Sequence, residues 1–274
     1  MQKKINTLYF SATGTTKRII TEIAEKIAKR NNIKVNEEIN HIDFTLPEAR
    51  KQLTSFTSSD IVITGVPVIA GRVPNVLLKY LKTIVGNGAL TVAVVVYGNR
   101  NYDDALIELK DILESDGFKV IAGAAFVGEH SFSNILAKNR PDEKDMITIN
   151  DFAVQIYDKI KNQKESYAAE INGNKCYRDY YKPKDKDGNY VDIRKVTPKT
   201  NTNCINCKLC VSVCPMGSID FEDVSKLNGI CIKCCACIKK CPAQAKYFDD
   251  EHFLNHKHEL EIQFSERREP ELFI

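Results

Sequence analysis

Two stretches, CINCKLCVSVCP at residues 204–215 and CIKCCACIKKCP at residues 231–242, decide how the last third of this chain folds. Their cysteines fall as Cys204-x2-Cys207-x2-Cys210-x3-Cys214-Pro215 and Cys231-x2-Cys234-x2-Cys237-x3-Cys241-Pro242, each 27 residues before its counterpart, so the segment is an internal duplication. Three thiolates at three-residue steps can wrap one compact iron–sulfur cluster. The fourth, beyond a tight turn, points away to the partner cluster. The spacing therefore assigns Cys204, Cys207, Cys210 and Cys241 to a first 4Fe–4S cluster, and Cys231, Cys234, Cys237 and Cys214 to a second.

Zinc and disulfides are the competing uses of so many cysteines. Zinc sites take cysteines as separated pairs in a tetrahedral set, not as triplets each followed by Cys-Pro. Disulfides need an oxidising compartment, whereas the start MQKKINTLYF reads as the approach to a strand and not as a signal-peptide core. The expectation is a reducing cytoplasm with metal-bound thiolates. No apolar run is long enough to cross a bilayer, so no membrane partner is expected.

Upstream, strands alternate with helices. Strands are predicted at Ile5–Phe10, Ile33–Ile39, Asp60–Val66, Ala89–Tyr97 and Val120–Val127. Helices are predicted after residue 16, where Ile19, Ile20, Ile23, Ala24, Ile27 and Ala28 recur at helical spacing, and at Pro74–Leu81, Asp103–Ser115 and Asp142–Lys161. That alternation implies a parallel sheet covered on both faces, in a doubly wound order 2-1-3-4-5 with its ligand beyond the carboxyl ends of the strands.

Three loops fall at that edge. The first, SATGTT, offers hydroxyls from Ser11, Thr13, Thr15 and Thr16, and a glycine, Gly14, that lets backbone amides approach an anion at a helix N-terminus. It lacks the Gly-x4-Gly-Lys pattern of a triphosphate loop and suits a phosphate monoester. The second is Gly65-Val66-Pro67-Val68-Ile69-Ala70-Gly71-Arg72. The third is Tyr97-Gly98-Asn99-Arg100-Asn101-Tyr102-Asp103-Asp104, where Tyr102 offers a face for stacking on a flat ligand. Gly128-Glu129-His130-Ser131 is a fourth candidate, with His130 equally readable as a loop residue making a local hydrogen bond.

On SATGTT and YGNRNYDDAL the N-terminal part resembles a flavodoxin, and the chain as a whole resembles the flavodoxin–ferredoxin fusion proteins of anaerobes. The resemblance implies an α/β flavodoxin-like domain over residues 1–163, a linker over 164–196, a small α+β two-cluster ferredoxin domain over 197–250, and a helix and tail over 251–274. It implies FMN at Ser11, Thr13, Gly14, Thr15 and Thr16, at Pro67, Val68, Ile69, Ala70 and Gly71, and at Gly98, Asn99, Arg100 and Tyr102. The chain has no Trp, and Ile69 stands where many flavodoxins place an aromatic, so one flavin face is expected to be lightly covered.

The linker is polar and Tyr-rich, and Tyr177, Tyr180 and Tyr181 read as packing residues. Its basic residues are interspersed with six acidic ones, which argues against nucleic acid. Cys176 and Cys235 lie outside the ligand sets and read as free thiols, with Cys235, beside Cys234, the alternative ligand. A strand at Ala245–Phe248 is expected to pair with Ser218–Phe221. A helix at Glu251–Gln263 is expected to be capped by Asp249 or Asp250 and docked through Phe253, Leu260 and Phe264, with His252 and His256 on a solvated face.

Together these features predict a low-potential electron carrier exchanging electrons between FMN, two 4Fe–4S clusters and a redox partner protein. A second copy of the chain is a candidate partner. A flavin-dependent reductase of a small acceptor is the alternative, with Tyr102, Glu129 and His130 as its only nameable proton donors. A redox or oxygen sensor ranks below it.

Overall fold

The computed structural model describes residues 3–30, 39–162, 164, 168–174 and 176–274. The chain opens with strand β1 (Lys4–Tyr9), helix α1 (Thr15–Arg30), β2 (Ile39–Asp43) and β3 (Asp60–Pro67). Helix α2 (Asn75–Leu81), β4 (Leu90–Tyr97), α3 (Ala105–Ser115), β5 (Lys119–Val127) and α4 (Glu143–Lys161) follow. The strand predicted at Ile33–Ile39 lies outside the described residues except for Ile39, where β2 begins; β2 runs from Ile39 to Asp43 in parallel register with Ile5–Tyr9.

β1 to β5 form a parallel sheet in the order 2-1-3-4-5. β3 and β4 are buried on both faces, which is why they read as continuous apolar runs without alternation. On one face, Ile19, Ile20, Ile23 and Ile27 of α1 meet Ile149, Phe152 and Ile156 of α4 over the sheet. Each such fully buried side chain contributes about 1.5–3 kcal/mol. On the other face, Leu77 and Leu81 of α2 join Leu106, Leu109 and Leu113 of α3. The N-terminus of α4 is held by a capping box, in which Asp142 accepts from the Asp145 amide at 3.2 Å and Asp145 accepts from the Asp142 amide at 2.9 Å.

The C-terminal third contains β6 (Lys199–Thr200), the one-turn helices α5 (Leu209–Ser212) and α6 (Ala236–Lys239), β7 (Lys246–Tyr247), α7 (Glu251–Gln263) and β8 (Glu271–Phe273). The duplication is visible in the backbone. Asn206 and Lys233 share a left-handed conformation (φ 53° and 55°), as do Lys208 and Cys235 (61° and 59°) and Gly217 and Gln244 (59° and 50°). The expected pairing of Ala245–Phe248 with Ser218–Phe221 does not form. β7 pairs antiparallel with β6, Thr200 opposite Lys246, while Ile219 bridges to Leu227. These two pairings are one pairing repeated at the 27-residue offset: the segment after each Cys-Pro pairs with the approach to the other motif.

The tail also departs from expectation. After α7, capped by the Asp250 carboxylate on the Phe253 amide at 2.9 Å, the chain returns to the main sheet. There β8 adds antiparallel to β5, making a sixth strand. Phe253 and Leu260 are buried as expected, but so is His256, at 3 % exposure, on the face expected to be solvated.

Candidate functional site

At the carboxyl edge of the sheet, SATGTT turns from β1 into α1 through Gly14, whose φ of +106° is strained for any residue with a Cβ. The Ser11 hydroxyl accepts from the Lys17 amide at 2.9 Å, and the Ser11 amide donates to Thr45 Oγ1 at 2.8 Å. Thr16 is buried, with its methyl towards β3. Ser11 thus braces the turn while keeping its hydroxyl proton free to donate, and the Thr16 methyl packs inwards. Thr13 and Thr15 stay half-exposed at the opening, and among the described residues no acceptor is set against the amides of residues 13–16. Unpaired amides at the start of a sixteen-residue helix, with hydroxyls beside them, are the donor set a phosphate monoester requires.

The second loop is a tight turn. Ile69 and Arg72 exchange backbone hydrogen bonds at 3.1 and 3.2 Å around Ala70 and Gly71, both at positive φ. Val68 donates its amide to Val96 O at 2.8 Å and packs on the core beyond Pro67. Arg72 is not solvated. Its guanidinium grips Glu108 in two bonds of 2.8 Å, donates to Arg178 O at 2.7 Å and lies over the rings of Tyr177 and Tyr180. The linker continues across both loops: the Tyr181 amide donates to Ala70 O at 2.8 Å, and the Arg178 amide to Asp104 at 2.6 Å.

In the third loop Gly98 lies against His130, and Asn99 is committed to the tail. Its amide group donates to Phe264 O (2.6 Å) and Glu266 O (2.8 Å) and accepts from the Arg268 amide (3.2 Å). Arg100 pairs with Asp103 and stacks on Tyr181, 4.2 Å from the ring centroid. Tyr102 donates its hydroxyl to Glu271 of β8 at 2.7 Å, and burial together with that carboxylate raises its pKa far above the usual phenol range. The phosphate end therefore fits a flavin nucleotide by its donors, while the ring-flanking loops are also bound to linker and tail. Sequence reading missed those engagements, since nothing local marks Phe264 or Glu271 as their partners.

His130 makes the local hydrogen bond, its Nδ1 accepting from the Phe132 amide at 3.1 Å. Burial and the nearby His256, Lys239 and Arg100 lower its pKa to about 4, so it is neutral at physiological pH. Burial pushes the Glu129 carboxyl up, but the Lys239 ammonium and the Asn139 amide outweigh it and leave the group below the usual carboxylate range. None of Tyr102, Glu129 and His130 is poised to give a proton near neutrality.

The cysteine-rich unit sits on the same edge. Ala236 is fully buried in the apolar layer that holds Phe10, Ala12 and Phe44, and Val213, Ile232 and Cys234 pack against it. Arg50, just after β2, donates to Pro215 O at 2.6 Å, and Lys239 of α6 binds Glu129 and donates to Ser133 O at 2.9 Å. Cys214, Cys231, Cys234 and Cys237 line one cavity, collared by Pro198, Ile219, Leu227, Ile230, Ile232 and Phe248. That is the second predicted set. Burial raises the Cys234 thiol to about 11 and Cys237 to about 12, a penalty on the thiolate that coordination to a metal cluster would offset. In the first set, Cys204 bears on Cys210, and the Cys241 sulfur accepts from the Ala245 amide at 3.2 Å as Cys214 does from Ser218 at 3.4 Å. Among the described residues no three His, Cys, Asp or Glu side chains converge on a single-ion site. Cys235 lines the same cavity, buried at 4 % exposure, with its thiol donating to Lys233 O at 3.5 Å, and Cys176 is exposed.

Residues 151–257 match the family of 4Fe-4S dicluster domains. The chain thus joins a parallel sheet of order 2-1-3-4-5 to a segment that resembles dicluster domains. The match begins inside α4, well ahead of the first cysteine motif. Solved structures similar to the N-terminal part include a flavodoxin from the domain Archaea, at 16% identity over 58% of this chain and 99% of that one, with a TM-score of 0.38. Flavodoxin 2 from Bacillus cereus matches at 17% over 57% and 99% (TM-score 0.41). A Fusobacterium nucleatum flavodoxin bound to flavin mononucleotide matches at 19% over 57% and 98% (TM-score 0.38). No curated protein matches the chain in sequence.

Proposed function

We propose that this protein is an electron carrier in which FMN, held at the N-terminus of α1, exchanges electrons with a redox partner protein by way of the two clusters. FMN would supply a centre that takes two electrons and releases them singly, and the clusters would accept one each. The observation that carries the reading is the docking of one cysteine quartet, and not the other, against the sheet edge that bears the phosphate cradle.

Cys234 and Ala236 pack on the apolar layer beside Phe10 and Ala12, while Arg50 holds the Cys214-Pro215 turn and Lys239 clamps the helix after Cys237 to Glu129. Cys204, Cys207 and Cys210 lie on the side with exposed Ile205 (67 %) and Leu209 (37 %), and Cys207 is itself exposed. On this reading the second quartet serves the flavin side and the first is offered to a partner. The thiolate collar and backbone donors on Cys214 and Cys241 hold and tune the clusters, and Thr13, Gly14 and Thr15 orient the phosphate.

Anaerobic purification with iron and sulfide, followed by a reductive titration, tests the reading. Flavin and cluster absorbances should both bleach in one polypeptide, and a reduced redox protein should transfer to the flavin only when the first quartet is intact. Material that binds no flavin at saturating FMN sinks the flavin half, and flavin reduction that is indifferent to Cys207→Ser sinks the proposed order.

A further inference from the structure

Lys246 stands at a place where the repeat predicts an apolar residue. Its counterpart 27 positions earlier is Ile219, which lines the cavity of the second quartet. The two residues occupy equivalent bridges, Lys246 opposite Thr200 and Ile219 opposite Leu227. By the internal symmetry, Lys246 forms the same wall of the first quartet that Ile219 forms of the second.

The lysine is 3 % exposed, and its Nζ donates to the Val224 carbonyl. Among the described residues no carboxylate pairs with it. The Thr200 hydroxyl across the bridge is buried without a partner as well. A buried ammonium with only a carbonyl for company is costly unless an anion stands nearby. Its charge bears on the cysteine sulfurs: Lys246 is the foremost favourable charge on Cys210 and also reaches Cys237.

We propose that Lys246 is the built-in counter-charge of the first cluster, favouring its reduction over that of the second and so making the two clusters unequal. Reduction adds one electron to an already anionic centre, and a fixed positive charge in a water-poor site stabilises that extra charge. With the second quartet on the flavin side and the first on the solvent side, the inequality draws electrons outwards. The inference rests on the two-cluster assignment, which iron and sulfide analysis tests separately.

The experiment is a redox titration of the intact, cluster-loaded protein followed by electron paramagnetic resonance. The two midpoints are assigned with Cys207→Ser, which alters the first cluster alone. Lys246→Gln keeps a donor for Val224 and removes the charge. It should lower the reduction equilibrium constant of the first cluster roughly tenfold, about 59 mV for one electron, and that of the second by clearly less. Lys246→Arg should stay near wild type. The reciprocal Ile219→Lys, read by the same titration, should raise the second cluster and leave the first. A first-cluster midpoint unchanged in Lys246→Gln, equal falls in both clusters, or a fall in Lys246→Arg as large as in Lys246→Gln would each overturn the proposal.

Discussion

Replacing Glu108 by Gln tests how firmly the second loop is fixed. In the native protein Glu108 accepts two bonds of 2.8 Å from Arg72 and a third, also 2.8 Å, from the Val73 amide, with the two side chains only 13 % and 5 % exposed. Glutamine keeps the shape and one acceptor, so the Val73 amide can remain satisfied. It cannot accept both arms of the guanidinium, and it leaves a mostly buried positive charge with only Asp104, the Arg178 carbonyl and two tyrosine rings to offset it. Breaking a buried pair from one side costs about 3–5 kcal/mol, and the conserved shape places this variant near the lower end, at about 3 kcal/mol. For a chain of this size that lowers the midpoint of thermal unfolding by about 6–12 °C. Far-ultraviolet circular dichroism on anaerobically loaded protein measures it. A double-mutant cycle with Arg72→Met should return a coupling of at least about 1.5 kcal/mol. A loss below about 1 kcal/mol, or additive single changes, would refute the reasoning that this pair anchors the loop.

Further outcomes follow from the same geometry. Cys241→Ser, although it lies in the second motif, should abolish the first cluster, and Cys214→Ser the second; iron content and paramagnetic resonance distinguish this from ligation within each motif. In Gly14→Ala the added methyl meets nothing within 4 Å, so its cost is the backbone strain at φ +106°, about 1–2 kcal/mol in chemical denaturation, with weaker FMN binding by fluorescence titration. An unaltered flavin affinity would argue that this turn does not carry the phosphate. The Glu129 pKa is depressed, so its contribution to holding the cluster unit is present above the unfolded carboxylate pKa and is lost as the pH falls through the lower folded value. Glu129→Gln should remove that acid-side dependence in protease-protection assays of the Lys239 contact, and a profile matching wild type would sink the assignment.

Much of this architecture can be read from sequence because its determinants are local. The apolar runs at 60–67 and 90–97 imply strands buried on both faces, and the helical spacing from Ile19 to Ala28 implies the face that α1 turns inwards. The 27-residue repeat of cysteines carries its own backbone conformation. Determinants distant in sequence could not be read. β8 has only three residues, Glu271–Phe273, too short for alternation, and becomes a strand because β5 presents an unpaired edge. Tyr102, Asn99 and Arg100 have the composition of a ligand loop, but their partners lie in the linker and tail, up to 169 residues away. His256 looks solvated beside His252 until Tyr181 and the loop around His130 are packed against it. Lys246 reads as a surface lysine until Ile219 is set beside it.

Because β8 belongs to the main sheet, residues 162–270 are in effect an insertion between its fifth and sixth strands. The cysteine-rich part is thus tethered at both ends, unlike a bead on a string. Such an arrangement cannot swing out to collect charge and swing back to deliver it. On the proposed reading, the separation between flavin and clusters would be a fixed dimension of the scaffold, insensitive to linker length.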